Sequence, residues 1–218
     1  RVILDLNKLG MPKNILKSYS RMVNYPSGLI LTTGPTGSGK TSTLYASVQN
    51  MVTRGLKVMT AEDPVEYEMK KVNQKSINEF MGFADYIRSF LRQNPDTILV
   101  GEIRDNDTAE IAIKASTTGH LVLSSLHSRS AIGTISRLRN LGVPNDNISS
   151  NLLGSIGQRL IRKICESCKE ETSPNKETLD LFYDKPPKSK YYYGTGCDKC
   201  NDTGYNGLMG VYELFFPN

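Results

Sequence analysis

Lys40 and Thr41 close the run Gly34-Pro35-Thr36-Gly37-Ser38-Gly39, which has the spacing Gly, four residues, Gly-Lys-Thr. These residue types in this order suit the capture of a polyphosphate. Glycines let successive backbone N–H groups turn inward on the anion with no Cβ in the way. Lys40 supplies a point charge for the β and γ phosphates, and the Thr41 hydroxyl can ligate Mg²⁺. Ser42 then opens a helix-compatible segment whose positive end faces the same anion. The plainer alternative is a glycine-rich strand-to-helix turn that happens to hold a lysine. The apolar run Gly28–Thr33 before it and the helical segment after it argue against that alternative. Gly34 to Ser42 is therefore the candidate nucleotide-binding stretch.

Hydrolysis of a phosphoanhydride needs an organised Mg²⁺ and a group that orients or deprotonates water. Two acidic stretches follow the loop. Glu62-Asp63-Pro64-Val65-Glu66 comes after the apolar run Val58–Ala61, and Glu102 comes after Thr97–Val100. A carboxylate at the end of a core strand beside a phosphate loop is well placed for this work. We expect Glu102 to hold the Mg²⁺ hydration shell, and Glu66 or Glu62 to polarise the water.

Four cysteines form two pairs, Cys165-x-x-Cys168 and Cys197-x-x-Cys200, with 28 residues between the pairs. Each pair offers two thiolates from one tight turn, and four thiolates close a tetrahedral Zn²⁺ sphere. A closed sphere leaves no position for water, so the expected role is structural. The gap exceeds the roughly 15–20 residues usual for such sites, and the loop near Pro186-Pro187 can absorb the excess. Reduced free thiols and disulfides are the alternatives.

The elements that must position these groups follow from the hydrophobic pattern. Apolar runs at 29–33, 58–61, 97–100 and 121–126 alternate with helical patterns at 41–54, 82–93, 107–117, 130–141 and 145–157. That alternation argues for an α/β fold with a mostly parallel sheet flanked by helices, and for catalytic loops at the carboxyl ends of the strands. Leu4–Leu9 is expected to be extended and Pro12–Val23 helical. From Arg162 the composition turns to Lys, Pro, Asn and Asp. We expect a core over 1–161, a tetracysteine insertion over 162–207 and a returning strand in 208–218. The 218 residues suffice for one generous domain or one domain plus a small appendage. A hydrophobic share of 38% and a charged share of 22% describe a globular chain with a core. No apolar run approaches the roughly 20 residues of a membrane span, and the start shows no signal-peptide pattern. The start at Arg1 reads as that of a fragment. A net charge of +5 is mild and scattered, and demands neither nucleic acid nor an anionic membrane.

The ordered motifs carry a resemblance. The phosphate loop, Glu62-Asp63-Pro64-Val65-Glu66, Val100-Gly101-Glu102-Ile103-Arg104-Asp105, and the pair Thr118-Gly119-His120 and Leu126-His127-Ser128 resemble those of the secretion ATPases of type II secretion and type IV pilus assembly. The likeness runs from about residue 4 to the end. It implies a RecA-like P-loop core that hydrolyses ATP as a homo-hexameric ring in the cytoplasm. Such rings dock through partners on an inner-membrane platform and its cytoplasmic assembly proteins. It also implies that Glu66 activates water, that Glu102 supports Mg²⁺, and that His120 and His127 couple the γ-phosphate to motion. Arg88 and Arg92 match arginines the family carries before Asn94-Pro95-Asp96. For Arg104, pairing with a neighbouring acid competes with a role as arginine finger. The cysteine module resembles that of secretion and pilus-extension members rather than retraction members. The chain departs from the family at Ser128-Arg129-Ser130, where Thr-Asn-Asp is usual. It departs again at Gly207-Leu208-Met209-Gly210, where Gly-Arg-Thr-Gly is common.

Two other functions compete. Lys188-Ser189-Lys190-Tyr191-Tyr192-Tyr193 puts basic and aromatic residues together as single-strand binders do, which would suit a nucleic-acid translocase. The plainer reading is a strand whose tyrosines brace the metal knuckle. Because the rest of the chain shows no basic stripe, nucleic acid is not an expected partner. The other competitor is a nucleotide-gated scaffold that hydrolyses little.

Overall fold

The computed structural model describes residues 5–185, 187 and 189–217. The chain divides into two units, one reaching to Arg159 and resuming at Gly210, the other spanning Leu160–Met209.

The first unit holds most of a sheet ordered β3-β2-β4-β5-β1-β6-β9. Its strands are β1 (Gly28–Thr33), β2 (Val58–Glu62), β3 (Val72–Ser76), β4 (Thr97–Val100), β5 (Leu121–Leu126), β6 (Leu152–Ile164) and β9 (Tyr205–Phe215). The pairs β1–β5, β1–β6, β2–β3, β2–β4 and β4–β5 are all parallel. Helices α1 (Lys13–Met22), α2 (Lys40–Thr53), α3 (Phe83–Phe90), α4 (Asn106–Thr117), α5 (Gly133–Asn140) and α6 (Asn145–Asn151) cover it.

The central strands read as unbroken apolar runs because both faces are buried. Successive side chains leave a strand on opposite faces. Leu29, Leu31, Met59, Ala61, Ile98 and Val100 therefore enter one core with Ile87, Phe90 and Ala112. Ile30, Val58, Leu99 and Leu123 enter the other with Tyr19, Tyr45 and Met51. α3 shows how a helix joins such a core: Phe83, Ile87 and Phe90 recur at helical spacing and are the ones buried. Its start is held by the Asp85 carboxylate, which accepts the Gly82 N–H at 3.1 Å. α4 starts where Asp105 Oδ1 accepts the Thr108 N–H at 2.8 Å, so the acid after Arg104 is a helix cap.

Four expectations need correction. Residues 145–157 are not one helix. α6 ends at Asn151 and β6 begins at Leu152, whose backbone is already extended. Gly154, Ile156 and Gly157 are poor helix formers, and pairing with β1 decides the matter. The described part of Leu4–Leu9 is a 3₁₀ turn, Leu6–Lys8, capped by Asp5. The helix expected over 82–93 stops at Phe90 and tightens to a 3₁₀ turn, ending at Asn94 with φ 49°. The returning strand is longer than expected, beginning at Tyr205. β3 escaped notice because its sequence, Val-Asn-Gln-Lys-Ser, is polar and largely exposed at a sheet edge.

In the second unit, β7 (Lys169–Thr172) pairs antiparallel with β8 (Tyr191–Gly194), and α7 spans Lys176–Phe182. The basic and aromatic residues singled out above are engaged in that ladder. Lys190 Nζ meets Glu171 Oε2 at 2.7 Å, Tyr193 donates to Glu170 Oε2 at 3.3 Å, and the Lys169 ammonium lies 4.4 Å from the Tyr192 ring centre. Pro186 and Lys188 lie outside the described residues. Among the described residues no helix is long and apolar enough to cross a membrane.

Candidate functional site

The loops at the carboxyl ends of β1, β2, β4 and β5 surround a cleft of about 510 Å³. Thr36 to Ser42, Glu62, Asp63, Glu66, Glu102, Arg104, Ser125 and His127 line it.

The phosphate loop leaves β1 and enters α2 through Gly39, whose φ of 85° disfavours any residue with a Cβ. No side chain caps this helix start. Its first N–H groups and its positive dipole end are therefore free to meet an anion. The Lys40 ammonium is folded over the loop, donating to the carbonyls of Gly34 at 2.9 Å and Pro35 at 3.1 Å. Burial lowers its pKa below the usual lysine value, and the Glu102 charge opposes that shift.

The acids separate into three environments. Glu66 is exposed, and its Oε1 accepts the Thr41 hydroxyl at 3.1 Å. That puts a carboxylate beside the hydroxyl expected to ligate Mg²⁺. Glu62 is only 4% exposed and fully engaged. It accepts from the Tyr45 hydroxyl, from Thr60, and from Gln74 Nε2 at 3.2 Å. With both oxygens committed, Glu62 is tied into the framework, whereas Glu66 keeps an oxygen for water. Tyr45 also receives the Glu66 N–H at 3.3 Å. Burial, then the bond to Glu62, raises its phenol well above the usual tyrosine value, so it acts only as a hydrogen-bonding strut.

Glu102 bridges two side chains. His127 Nε2 lies 2.9 Å from its Oε1, and Arg104 Nε lies 2.7 Å from its Oε2. Arg104 continues to Asp63 Oδ2 at 3.0 Å. The bond to Glu102, followed by that to Asp63, raises the Arg104 pKa further. Its guanidinium is thus committed to two carboxylates, the pairing alternative to a finger.

The two histidines part company. His127 follows β5 and lines the cleft. His120 precedes β5, its Nδ1 3.1 Å from the Ala115 carbonyl oxygen. Six strand residues lie between them, so over seven steps at about 3.3 Å each His120 stands roughly 23 Å away. The structure does not bring His120 into the cleft. Arg88 pairs with Asp85 at 3.2 Å, and neither Arg88 nor Arg92 lines the cleft. Tyr45 and Ser125 line it without having been anticipated. For Tyr45 the signal was present, since it stands one helical turn from Thr41.

The four cysteine sulfurs lie within 4.8 Å of one another. Cys165–Cys197, Cys168–Cys200 and Cys197–Cys200 are separated by 3.9, 3.8 and 3.8 Å. A disulfide needs about 2.05 Å. Thiolates at about 2.3 Å from a tetrahedral Zn²⁺ would stand about 3.8 Å apart. The quartet therefore fits a metal. At Cys200 burial raises the thiol, but hydrogen bonds from the backbone of Cys197 and Gly204 outweigh it and bring the pKa down to about 7.

A family model described as Type II/IV secretion system protein matches residues 1–218. The Type II secretion system ATPase E of Vibrio cholerae is 46% identical over 214 residues, covering 97% of this chain and 42% of that protein. The Type IV pilus assembly ATPase PilB of Thermus thermophilus is 42% identical over 217 residues, covering 97% of this chain and 24% of that protein. Among solved structures, the pilus retraction motor PilT with bound ADP superposes with a TM-score of 0.70 at 33% identity. That match covers 99% of this chain and 54% of PilT. The chain thus spans less than half the length of these two curated relatives.

Proposed function

This chain belongs to the Type II/IV secretion system protein family, and we propose that it is the ATP-hydrolysing part of a motor for type II secretion or type IV pilus assembly. One observation carries the reading. The loop lysine, the Thr41–Glu66 pair and the Glu102–His127 pair converge on one cleft at the strand ends.

The loop N–H groups and Lys40 bind the β and γ phosphates. When bound through Thr41, Mg²⁺ neutralises charge on the phosphate oxygens. Glu66 orients a water and accepts its proton as the water oxygen bonds to the γ-phosphorus and the bond to the β-phosphate oxygen breaks. ADP and phosphate are the products. Glu102 organises the metal's surroundings and holds His127, so the state of the γ-phosphate is felt at the end of β5. Arg104, 2.7 Å from the other oxygen, keeps Glu102 in place.

The partners follow from the family. We propose a homo-hexamer that meets an inner-membrane platform and its cytoplasmic assembly proteins from the cytoplasmic side. Secretion or pilus extension is favoured over retraction, because the relatives named for secretion and pilus assembly are the more similar ones. We assign Cys165, Cys168, Cys197 and Cys200 to a structural Zn²⁺. About one Zn²⁺ per chain should be found by elemental analysis. Stripping it with a thiol-reactive agent should expose residues 160–209 to protease while the loop region stays resistant. A full complement of unreactive, metal-free cysteines would contradict the assignment.

The function is tested by phosphate release from ATP with Mg²⁺ supplied or omitted. Release should require Mg²⁺, and Glu102→Gln should lower kcat about 10- to 100-fold with KM held within a few-fold, as for groups that orient a metal's surroundings. Turnover indifferent to both would refute the reading.

A further inference from the structure

We infer that Gln158 is a positioning residue for the phosphate loop, holding it in its anion-binding shape from behind; this rests on the nucleotide reading above. Gln158 lies outside the motifs described above and 120 residues from Ser38. The sheet brings them together. β6 runs parallel to β1 with Gly157 opposite Thr33, so the next residue, Gln158, falls beside the root of the loop at Gly34. The approach is close. Gly34 has φ 145°, and a Cβ there would collide with the Gln158 carbonyl oxygen.

The Gln158 side chain is 3% exposed and uses both ends of its carboxamide. Nε2 donates to the Ser38 carbonyl at 2.6 Å, and Oε1 accepts the Thr43 hydroxyl at 2.9 Å. Thr43, 1% exposed, stands in the first turn of α2. One group therefore ties the loop to the helix that follows it.

The bond to Ser38 matters because of peptide geometry. The carbonyl of Ser38 and the N–H of Gly39 belong to one planar trans unit and point in opposite directions. Fixing that carbonyl outward onto Gln158 aims the Gly39 N–H toward the inside of the loop, where a phosphate oxygen must be met. Without the donor, a buried carbonyl would lose its partner and the peptide would be free to turn. Few side chains can serve both bonds. A carboxamide donates and accepts at once, a carboxylate only accepts, and a thioether does neither well. Gln158 does not line the cleft and acts only through Ser38 and Thr43, so its effect is on binding rather than on the chemical step.

The test compares this chain with Gln158→Met, Gln158→Glu and Thr43→Val, titrated with fluorescent ADP, with melting temperatures recorded alongside. Gln158→Met and Gln158→Glu should weaken ADP binding on the order of tenfold. KM for ATP should rise in parallel, with kcat kept within about twofold. Thr43→Val removes only the bond that does not reach the loop. It should lower the melting temperature but change affinity by less than about twofold. A folded Gln158→Met that binds ADP like the unsubstituted chain, with only its melting temperature reduced, would make Gln158 a packing residue and overturn the inference. If Gln158→Met does not fold, Gln158→Glu decides by the same two outcomes. Failure of the unsubstituted chain to bind ADP would overturn the nucleotide reading and this inference with it.

Discussion

Lys40→Ala should abolish nucleotide binding at ordinary ligand concentrations. In the structure the ammonium donates to the Gly34 and Pro35 carbonyls at the mouth of the loop, within reach of whatever anion the loop holds. A bound polyphosphate would accept hydrogen bonds from a charged donor, each worth about 1.5–3 kcal/mol. Losing about two of them corresponds to roughly 10²- to 10⁴-fold in affinity. The substitution should leave the fold intact. Lys40 is half-exposed, and its aliphatic stem belongs to neither core. Calorimetric titration with ADP reads the result directly. An affinity within a few-fold of the unsubstituted chain would mean that the loop amides alone hold the phosphates.

Glu66→Ala should leave binding nearly unchanged and remove hydrolysis, with kcat falling about 10²- to 10⁴-fold as expected for loss of a general base. Geometry eliminates the other two acids. Glu62 has both oxygens engaged in a buried site. Glu102 is held between Arg104 and His127. Glu66 alone of the three is exposed, with one oxygen on Thr41 and the other open to the cleft. Burst and steady-state phosphate release would separate the steps. Equal loss in Glu62→Gln with Glu66→Ala still active would reverse the assignment.

Much of this site was legible in the sequence because its parts are local. The loop needs glycines at fixed spacing. β4 is an apolar run that ends at Val100, two residues before Glu102, so the acid lands just past a strand end. The same reasoning could not rank Glu62 above or below Glu66, because the difference lies in Tyr45, Thr60 and Gln74, which fill one and not the other. Of the two motif histidines, the sequence favours His127, which stands near a strand end. The direction of β5 shows why, with His120 before the strand and His127 after it. Residues 145–157 read as one helix because polar and apolar residues recur there at a helical interval. Pairing with β1 overrode local preference from Leu152 onward. Gln158 was invisible for a related reason. Its position depends on the register of two strands far apart in the chain, and no local pattern carries that information.

Phosphate release by this chain with ATP and Mg²⁺, measured at increasing chain concentration while light scattering follows assembly, is the most direct test. The account predicts release that rises per chain as assembly proceeds. Binding of ATP without release at any concentration, even in the assembled state, would contradict it and leave a nucleotide-gated scaffold in its place.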